Sequence, residues 1–283
     1  MRKKFLIFFI LIAIIAAAMR IIWANTALTS TYIAYKAAVV PKELDGFRIL
    51  QLSDTHDAEI GDDNSGLIAA IADAGPDIIV ITGDLIDSHR TDIPRAISLA
   101  ARAAEIAPTY YVNGNHEALI GGDYEILAEG LKASGVTVLE NASVTISRGE
   151  SSFRLTGLTD IGFLSGSVDE KIAAMEDTLT GLTGEGLDVV LSHRPELVES
   201  YAAAEAELVF CGHAHGGQFR LPFIGGIIAP GQGLFPEYDA GLYEIGGTSM
   251  IVSRGIGNSI IPIRFNNRPE LVITELIHNP YSK

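Results

Sequence analysis

Five times along this 283-residue chain a short apolar run breaks off into Asp, His or Asn. Leu52 leads to Ser53-Asp54-Thr55-His56, and Thr82 to Gly83-Asp84. Val112 leads to Asn113-Gly114-Asn115-His116-Glu117, Leu191 to Ser192-His193, and Cys211 to Gly212-His213-Ala214-His215. Helical patterns separate most of the apolar runs, and this β-α-β-α rhythm implies a parallel or mixed sheet covered by helices. In such sheets the carboxyl edge is where ligands and catalytic groups gather. Any fold for this chain therefore has to bring five strand ends to one place.

The spacing predicts strands at 47–52, 77–82 and Thr109–Val112, with helices at Ser65–Ala74, 94–106 and 123–134. Gly75-Pro76 stops the first helix and Pro94 starts the second. From residue 136 the pattern shifts to short strands with turns, at 136–139, 144–147 and 153–157. A helix follows at 169–179, then strands at 187–191 and Leu208–Cys211 around a helix at 196–204. The C-terminal third reads as antiparallel strands at Gly241–Ile245, Thr248–Val252 and 271–276. Two packed sheets with helices outside fit this order.

A hydrophobic fraction of 48% excludes a disordered chain. The single cysteine, Cys211, excludes a disulfide framework and a cysteine-based zinc site; at the end of an apolar run it reads as a small buried hydrophobe. The net charge is −15 and uneven. The first 20 residues carry four basic and no acidic side chains, so the rest holds 16 basic against 35 acidic residues, a net −19. A body this acidic repels a phosphodiester polymer, and no nucleic-acid partner is expected. Bound cations can reverse that sign locally.

Arg2, Lys3 and Lys4 precede an unbroken apolar run from Phe5 to Met19, which continues past Arg20 to Ala24. Phe5 to Met19 alone spans about 22 Å as a helix, short of a roughly 30 Å hydrocarbon core. The run to Ala24 is long enough if Arg20 snorkels and Trp23 sits at headgroup level. Residues 1–24 are thus a retained single-pass anchor or a cleaved signal segment. The basic N-terminal flank places the body on the extracytoplasmic side of a cell membrane, although Arg20 and Lys36 on the far side oppose that bias. Residues 25–45 read as a linker and 46–278 as one domain.

Asp, Asn and His are oxygen and nitrogen ligands suited to Mn²⁺, Fe or Zn²⁺. Side chains two apart on a strand share a face, so Asp54 and His56, and likewise His213 and His215, are expected to point the same way. A carboxylate such as Asp84 can bridge two cations. Gly83, Gly114 and Gly212 give the backbone room to turn beside the ligands. A single Asp-X-His is more often a turn cap than a ligand pair; five blocks in this order are not explained by caps.

These blocks resemble the calcineurin-like metallophosphoesterase family: Asp-X-His, Gly-Asp, Gly-Asn-His-Asp/Glu, a lone His, then Gly-His-X-His. The match covers residues 47 to 216. Gly216-Gly217-Gln218, Ser253 to Gly257, Pro262-Ile263-Arg264 and Pro269-Glu270 look like the membrane-associated bacterial branch of that family. The resemblance implies an α/β fold, a four-layer α/β/β/α sandwich of two mixed sheets, here preceded by the N-terminal hydrophobic helix. It also implies two divalent metal ions (Mn²⁺, Fe²⁺/Fe³⁺ or Zn²⁺). Asp54, His56 and His215 would hold one metal, Asn115, His193 and His213 the other, and Asp84 both. His116 would face the substrate, donating a proton to the leaving oxygen or a hydrogen bond to the phosphoryl group. The implied activity is phosphoester or pyrophosphate hydrolysis by a metal-bridging hydroxide. An anchored site favours substrates at the bilayer, including lipid-linked phosphates; a UDP-2,3-diacylglucosamine-type lipid pyrophosphatase and a non-catalytic metal-binding scaffold are the alternatives. Asp57, Asp87 and His89 read as solvated loop residues, with orientation of the neighbouring ligands as the alternative. Glu117 reads equally as an orienting group and as a helix cap. Arg254 and Arg264 read as phosphate contacts or structural ion pairs, and Gln218 as a residue near the mouth.

Overall fold

The structure, a computed structural model, describes residues 2–259 and 261–282. Helix α1 (Arg2–Thr26) comes first, followed by β1 (Thr29–Ala37) and β2 (Phe47–Leu52). Then come α2 (Ser65–Ala74), β3 (Ile78–Thr82), α3 (Ile93–Ala104), β4 (Thr109–Val112), α4 (Asn115–Leu119), α5 (Asp123–Ala133) and β5 (Thr137–Val138). The second half holds β6 (Ala142–Arg148), β7 (Ser151–Gly157), α6 (Val168–Leu182), β8 (Asp188–Leu191), α7 (Val198–Ala203) and β9 (Leu208–Cys211). Two small ladders follow, β10 (Arg220–Leu221) with β11 (Gly225–Gly226) and β12 (Ile228–Ala229) with β13 (Gly233–Leu234). The last strands are β14 (Gly241–Ile245), β15 (Thr248–Val252) and β16 (Glu270–His278).

The long strands form two six-stranded mixed sheets, ordered β1-β16-β2-β3-β4-β5 and β14-β15-β9-β8-β7-β6. Continuous apolar strands with a period of two supply both faces of each sheet. Ile78 and Val80 face the other sheet, while Ile79 and Ile81 face α2, α3 and α5. Val189 and Leu191 likewise face the first sheet, and Val190 packs toward Met175, Leu179 and Tyr201 of the outer helices. Three apolar layers result: helix to sheet, sheet to sheet, and sheet to helix. That is the four-layer α/β/β/α sandwich expected from the sequence.

Two expectations need correction. Residues 25–45 hold more than a linker: Thr29–Ala37 is a strand paired in parallel along its length with β16. Alternation of Thr29, Thr31, Ile33 and Tyr35 is its local signal, but its partner lies some 240 residues away. The C-terminal strands are also not simply antiparallel. β14 and β15 form a hairpin, yet β15 runs parallel to β9, and β16 runs parallel to β1 and antiparallel to β2. Parallel pairing of β2 with β3 and of β3 with β4 places the strand ends Leu52, Thr82 and Val112 side by side, and β8 and β9 do the same for Leu191 and Cys211 in the second sheet.

Candidate metal centre

Gln51 joins the two sheets below the centre. Its buried amide donates to Thr82 Oγ1 (2.9 Å) and to the Cys211 carbonyl (2.8 Å). Beyond those strand ends the chain turns sharply. Asp54, His56, Asp84, His213 and His215 all have φ between 45° and 63°. Non-glycine residues rarely occupy this left-handed region, and backbone strain of this kind collects where a site over-determines it. The strand-alternation argument is thereby corrected: Asp54 and His56 meet because both backbones turn left-handed, not because they share a strand face. His213 and His215 diverge into different groups.

All seven predicted ligands converge. Asp54, His56, Asp84 and His215 form one group and Asp84, His193 and His213 another, with donor atoms in each within 4.8 Å of one another. Asp84 Oδ2 belongs to both, 3.6 Å from His56 Nε2 and 3.2 Å from His193 Nε2. His56 Nε2 and His215 Nε2 face each other at 3.1 Å, and His215 Nε2 is 3.5 Å from Asp54 Oδ1. In the second group His193 Nε2 is 3.2 Å from both Asn115 Oδ1 and His213 Nδ1. Asn115 is half-buried; the other six are buried.

The donors fit divalent cations. Four ring nitrogens and three side-chain oxygens crowd together with almost no N–H between them to satisfy their lone pairs, an arrangement stabilised by cations. The surrounding bonds fix the tautomers. His193 Nδ1 is 2.8 Å from the Thr82 carbonyl and donates to it, which turns Nε2 toward Asp84 and Asn115 and leaves it as the nitrogen free to ligate once its proton is displaced. His213 Nε2 points away from the centre, 3.6 Å from Glu196 Oε1. Asp54 accepts from Ser53 Oγ (2.6 Å) and from the His213 amide, and Asp84 Oδ1 accepts from the His116 amide (2.8 Å).

The electrostatics of the donor groups themselves follow from burial and from Asp84. Burial pushes the Asp54 carboxyl up to about 6, with His193 opposing. Burial also holds His56 neutral, down to about 3, and keeps His213 and His215 well below the ordinary imidazole range. Burial alone would lower His193, but the Asp84 carboxylate overrides it and lifts the ring to about 10. Three neutral imidazoles beside acidic oxygens are ready to ligate, since a histidine must be unprotonated to bind a metal.

Glycines here serve space more than turning. A Cβ on Gly212 would strike Ser53 Oγ and the Asp54 carboxylate, and one on Gly114 would strike Asp84 Oδ1. Gly83 alone of the three also needs its conformation, at φ 84°.

His116 lies outside both groups, on the short helix α4, with its ring edge-on to His56 at 4.5 Å. The Ser88 amide donates to His116 Nδ1 (3.0 Å), which leaves the ring proton on Nε2, 3.1 Å from Ser259 Oγ. Asp87 is buried, 3.9 Å from His116 Nδ1, and is no solvated loop residue. Asp57 accepts the amides of Asp87 and Asp92, tying the same loop down. Glu117 plays both expected parts. It caps α4 through the Gly114 amide and orients the next turn through the Asp84 and Leu85 amides. Burial and the Asp84 charge push its carboxyl up to about 7.

Cys211 is buried as expected, and Arg254 forms an ion pair with Glu270 at 2.6 Å. Sequence reasoning placed Arg264 only loosely. It is fully buried, donates to the Arg254 and Gly257 carbonyls, and brings Nη2 to 3.3 Å from His215 Nδ1. Only a buried arginine's need for carbonyl partners hints at this in the sequence. Gln218 donates to the carbonyls of Ile261 and Ile263, fixing the loop that overhangs His116.

Comparison with known proteins agrees with this geometry. The calcineurin-like phosphoesterase family model matches residues 47–217. The metallophosphoesterase YkuE of Bacillus subtilis (strain 168) is 33% identical over 250 residues, covering 85% of this chain and 82% of the relative. The phosphodiesterase YaeI of Escherichia coli (strain K12) is 33% identical over 235 residues, covering 82% of each. The crystal structure of TT1561 of Thermus thermophilus shares the fold, with a TM-score of 0.51 at 14% identity over 74% of this chain and 90% of that one. With residues 47–217 matching the family model and two relatives 33% identical over 85% and 82% of its length, the chain belongs to the calcineurin-like phosphoesterase family and is a phosphoester hydrolase.

Proposed function

We propose that this hydrolase works with two divalent cations on a phosphoester or pyrophosphate presented at a membrane surface. Convergence of seven side chains on two groups sharing Asp84 carries the reading. Asp54, His56 and His215 would hold one cation and Asn115, His193 and His213 the other, with Asp84 available to both. When bound, such a pair supplies a nucleophilic water near neutral pH and offsets charge on the phosphoryl oxygens. The donor types suit Mn²⁺, Fe or Zn²⁺. His116 acts from outside the cage. Because Nδ1 accepts the Ser88 amide, its Nε2–H points at the mouth and donates to the phosphoryl or leaving oxygen.

Helix α1 supports the membrane setting: Lys3–Thr26 is long and apolar enough to cross a bilayer, and its side chains are exposed along the apolar run. With Lys3 and Lys4 cytoplasmic, the body faces outward, toward cell-envelope phosphoesters. Protease accessibility in intact cells tests that side; a protected body would favour a cytoplasm-facing lipid pyrophosphatase instead.

The direct test is hydrolysis of p-nitrophenyl phosphate and its bis ester by the full chain loaded with Mn²⁺, Fe²⁺ or Zn²⁺. Turnover is expected with at least one metal. His116→Ala should keep two metals by elemental analysis and lose roughly 10²- to 10⁴-fold in kcat. Near-normal kcat in that variant removes His116 from the chemistry.

A further inference from the structure

Asn258 and Pro262 line one cleft at the mouth of the centre, and their neighbours Ser259 and Ile261 line another, unlike it. One, of about 370 Å³, presents polar and apolar surface about equally and includes His56, Asp57, Arg90, Asp92, Arg95 and Asn258 in its lining. The other, of about 410 Å³, starts at His215 and Ser259 and continues along Gln218, Ile228, Ala229, Pro230 and Ile261. Its lining is mostly apolar, yet it opens directly beside a candidate metal ligand.

The walls of this second cleft continue into an exposed apolar rim. Leu221, Phe223, Ile224, Leu234 and Phe235 are all exposed on the two small ladders β10–β11 and β12–β13. Exposed aromatic and aliphatic side chains gathered in this way mark a contact surface, and its place beside the membrane-length helix points to the bilayer. The same ladders are tied to the end of the membrane-length helix. Arg20 of α1 donates to Asn266 Oδ1 at 2.6 Å, Asn266 Nδ2 lies 3.4 Å from the Arg220 carbonyl, and Phe219 bridges to Phe265. The apolar rim and the end of the apolar helix are thus parts of one surface.

The geometry points to a hydrocarbon-binding cavity: the 218–235 side of the mouth takes the apolar chain of a membrane phosphoester while its phosphoryl group sits at the metal centre. The polar moiety of the same amphiphile then lies across the loop, over Arg90 and Arg95. This inference rests on the hydrolase reading above for the position of the phosphoryl group. It goes further in naming which face holds the hydrocarbon.

The test uses the Mn²⁺-loaded full chain in lipid nanodiscs, with empty nanodiscs as the blank. Dissociation constants of methylphosphonate and hexylphosphonate are measured by calorimetry, alongside turnover of bis-p-nitrophenyl phosphate. Each methylene buried in an apolar site is worth up to about fourfold in affinity, so hexylphosphonate should bind at least about tenfold more tightly. Ile228→Asn, and independently Ile261→Asn, should remove that advantage while methylphosphonate still binds, which shows that the variant is folded and loaded. Equal affinities of the two phosphonates in the unaltered protein overturn the cavity, as does an advantage that survives both substitutions. Turnover without chain-length dependence overturns the cavity alone. Chain-length dependence with no turnover by the chain loaded in turn with Mn²⁺, Fe²⁺ and Zn²⁺ supports the cavity and overturns the hydrolase reading.

Discussion

At the scale of single residues, Asp84 carries the heaviest demand. Its Oδ2 faces both histidine groups while Oδ1 holds the His116 amide. Asp84→Asn keeps the shape but removes the negative charge and replaces one oxygen by an NH2 group, and full metal occupancy by elemental analysis in that variant contradicts a bridging role; loss of metal and activity together is expected. Gly212→Ala places a methyl against Ser53 and Asp54. Overpacking of this kind costs about 1–3 kcal/mol, and a lowered denaturant midpoint together with weakened metal binding is the expected readout. Asp57 offers a pH test in the chelated protein. Burial raises its carboxyl to about 6, and Oδ1 has no partner among the described residues. A carboxyl raised in the folded state favours folding below its ordinary value of 3.8, and that advantage is lost as pH climbs through about 6. Asp57→Asn should therefore leave Tm unchanged near pH 4 and raise it near pH 7, read by thermal denaturation across that window.

Most of the centre is legible in the sequence, because each ligand sits two to four residues past an apolar strand and the strand order follows from right-handed crossovers. How the ligands point is not legible. Alternation along a strand predicts shared faces for Asp54 with His56 and for His213 with His215, whereas left-handed backbones decide the outcome. Arg264 against His215 is likewise hidden, since 49 residues and a change of sheet separate them.

At the scale of elements, the end of α1 is built into the body rather than strung from it. Trp23 lies between the guanidinium groups of Arg20 and Arg268, at 4.4 and 4.6 Å from its ring centre. Asn25 Oδ1 accepts the Arg264 amide (2.9 Å) and the Asn258 amide group (3.1 Å), and Asn25 Nδ2 donates to the Arg264 carbonyl (3.0 Å). Arg268 donates to the carbonyls of Ala27 and Leu28. Helix and mouth loop therefore share one hydrogen-bond network, and Asn25 is its junction. Removing a partner from such a network costs about 1–3 kcal/mol for each buried group left unpaired. Asn25→Ala should accelerate hydrogen exchange at the Arg264 amide without changing exchange in β3 or β8. Unchanged exchange at Arg264 means the junction bears no load. The sequence hides this docking too: 25–45 has linker composition, and the network partners lie some 240 residues downstream.

At the scale of the whole molecule, acidic charge and metal binding act together. Bringing two carboxylates and a raised Glu117 into one buried space is unfavourable until cations offset the charge. Ligands that bind only the folded state stabilise it by mass action, by about 2.7 kcal/mol at a hundredfold excess over Kd. Stripping the metals with a chelator should lower Tm by several degrees, and restoring Mn²⁺ should recover it; a Tm indifferent to chelation places the cations outside the folded body.

The position of β16 has a consequence for biogenesis. Every side chain of the cage lies before residue 216, yet the sheet carrying three of its five strand ends is zipped shut by Glu270–His278, wedged between β1 and β2. During synthesis β1 emerges early and waits for some 240 further residues before its neighbour exists, on the order of 12–50 s at about 5–20 residues per second. A nascent chain therefore carries all seven donors before the strand that completes their sheet has been made.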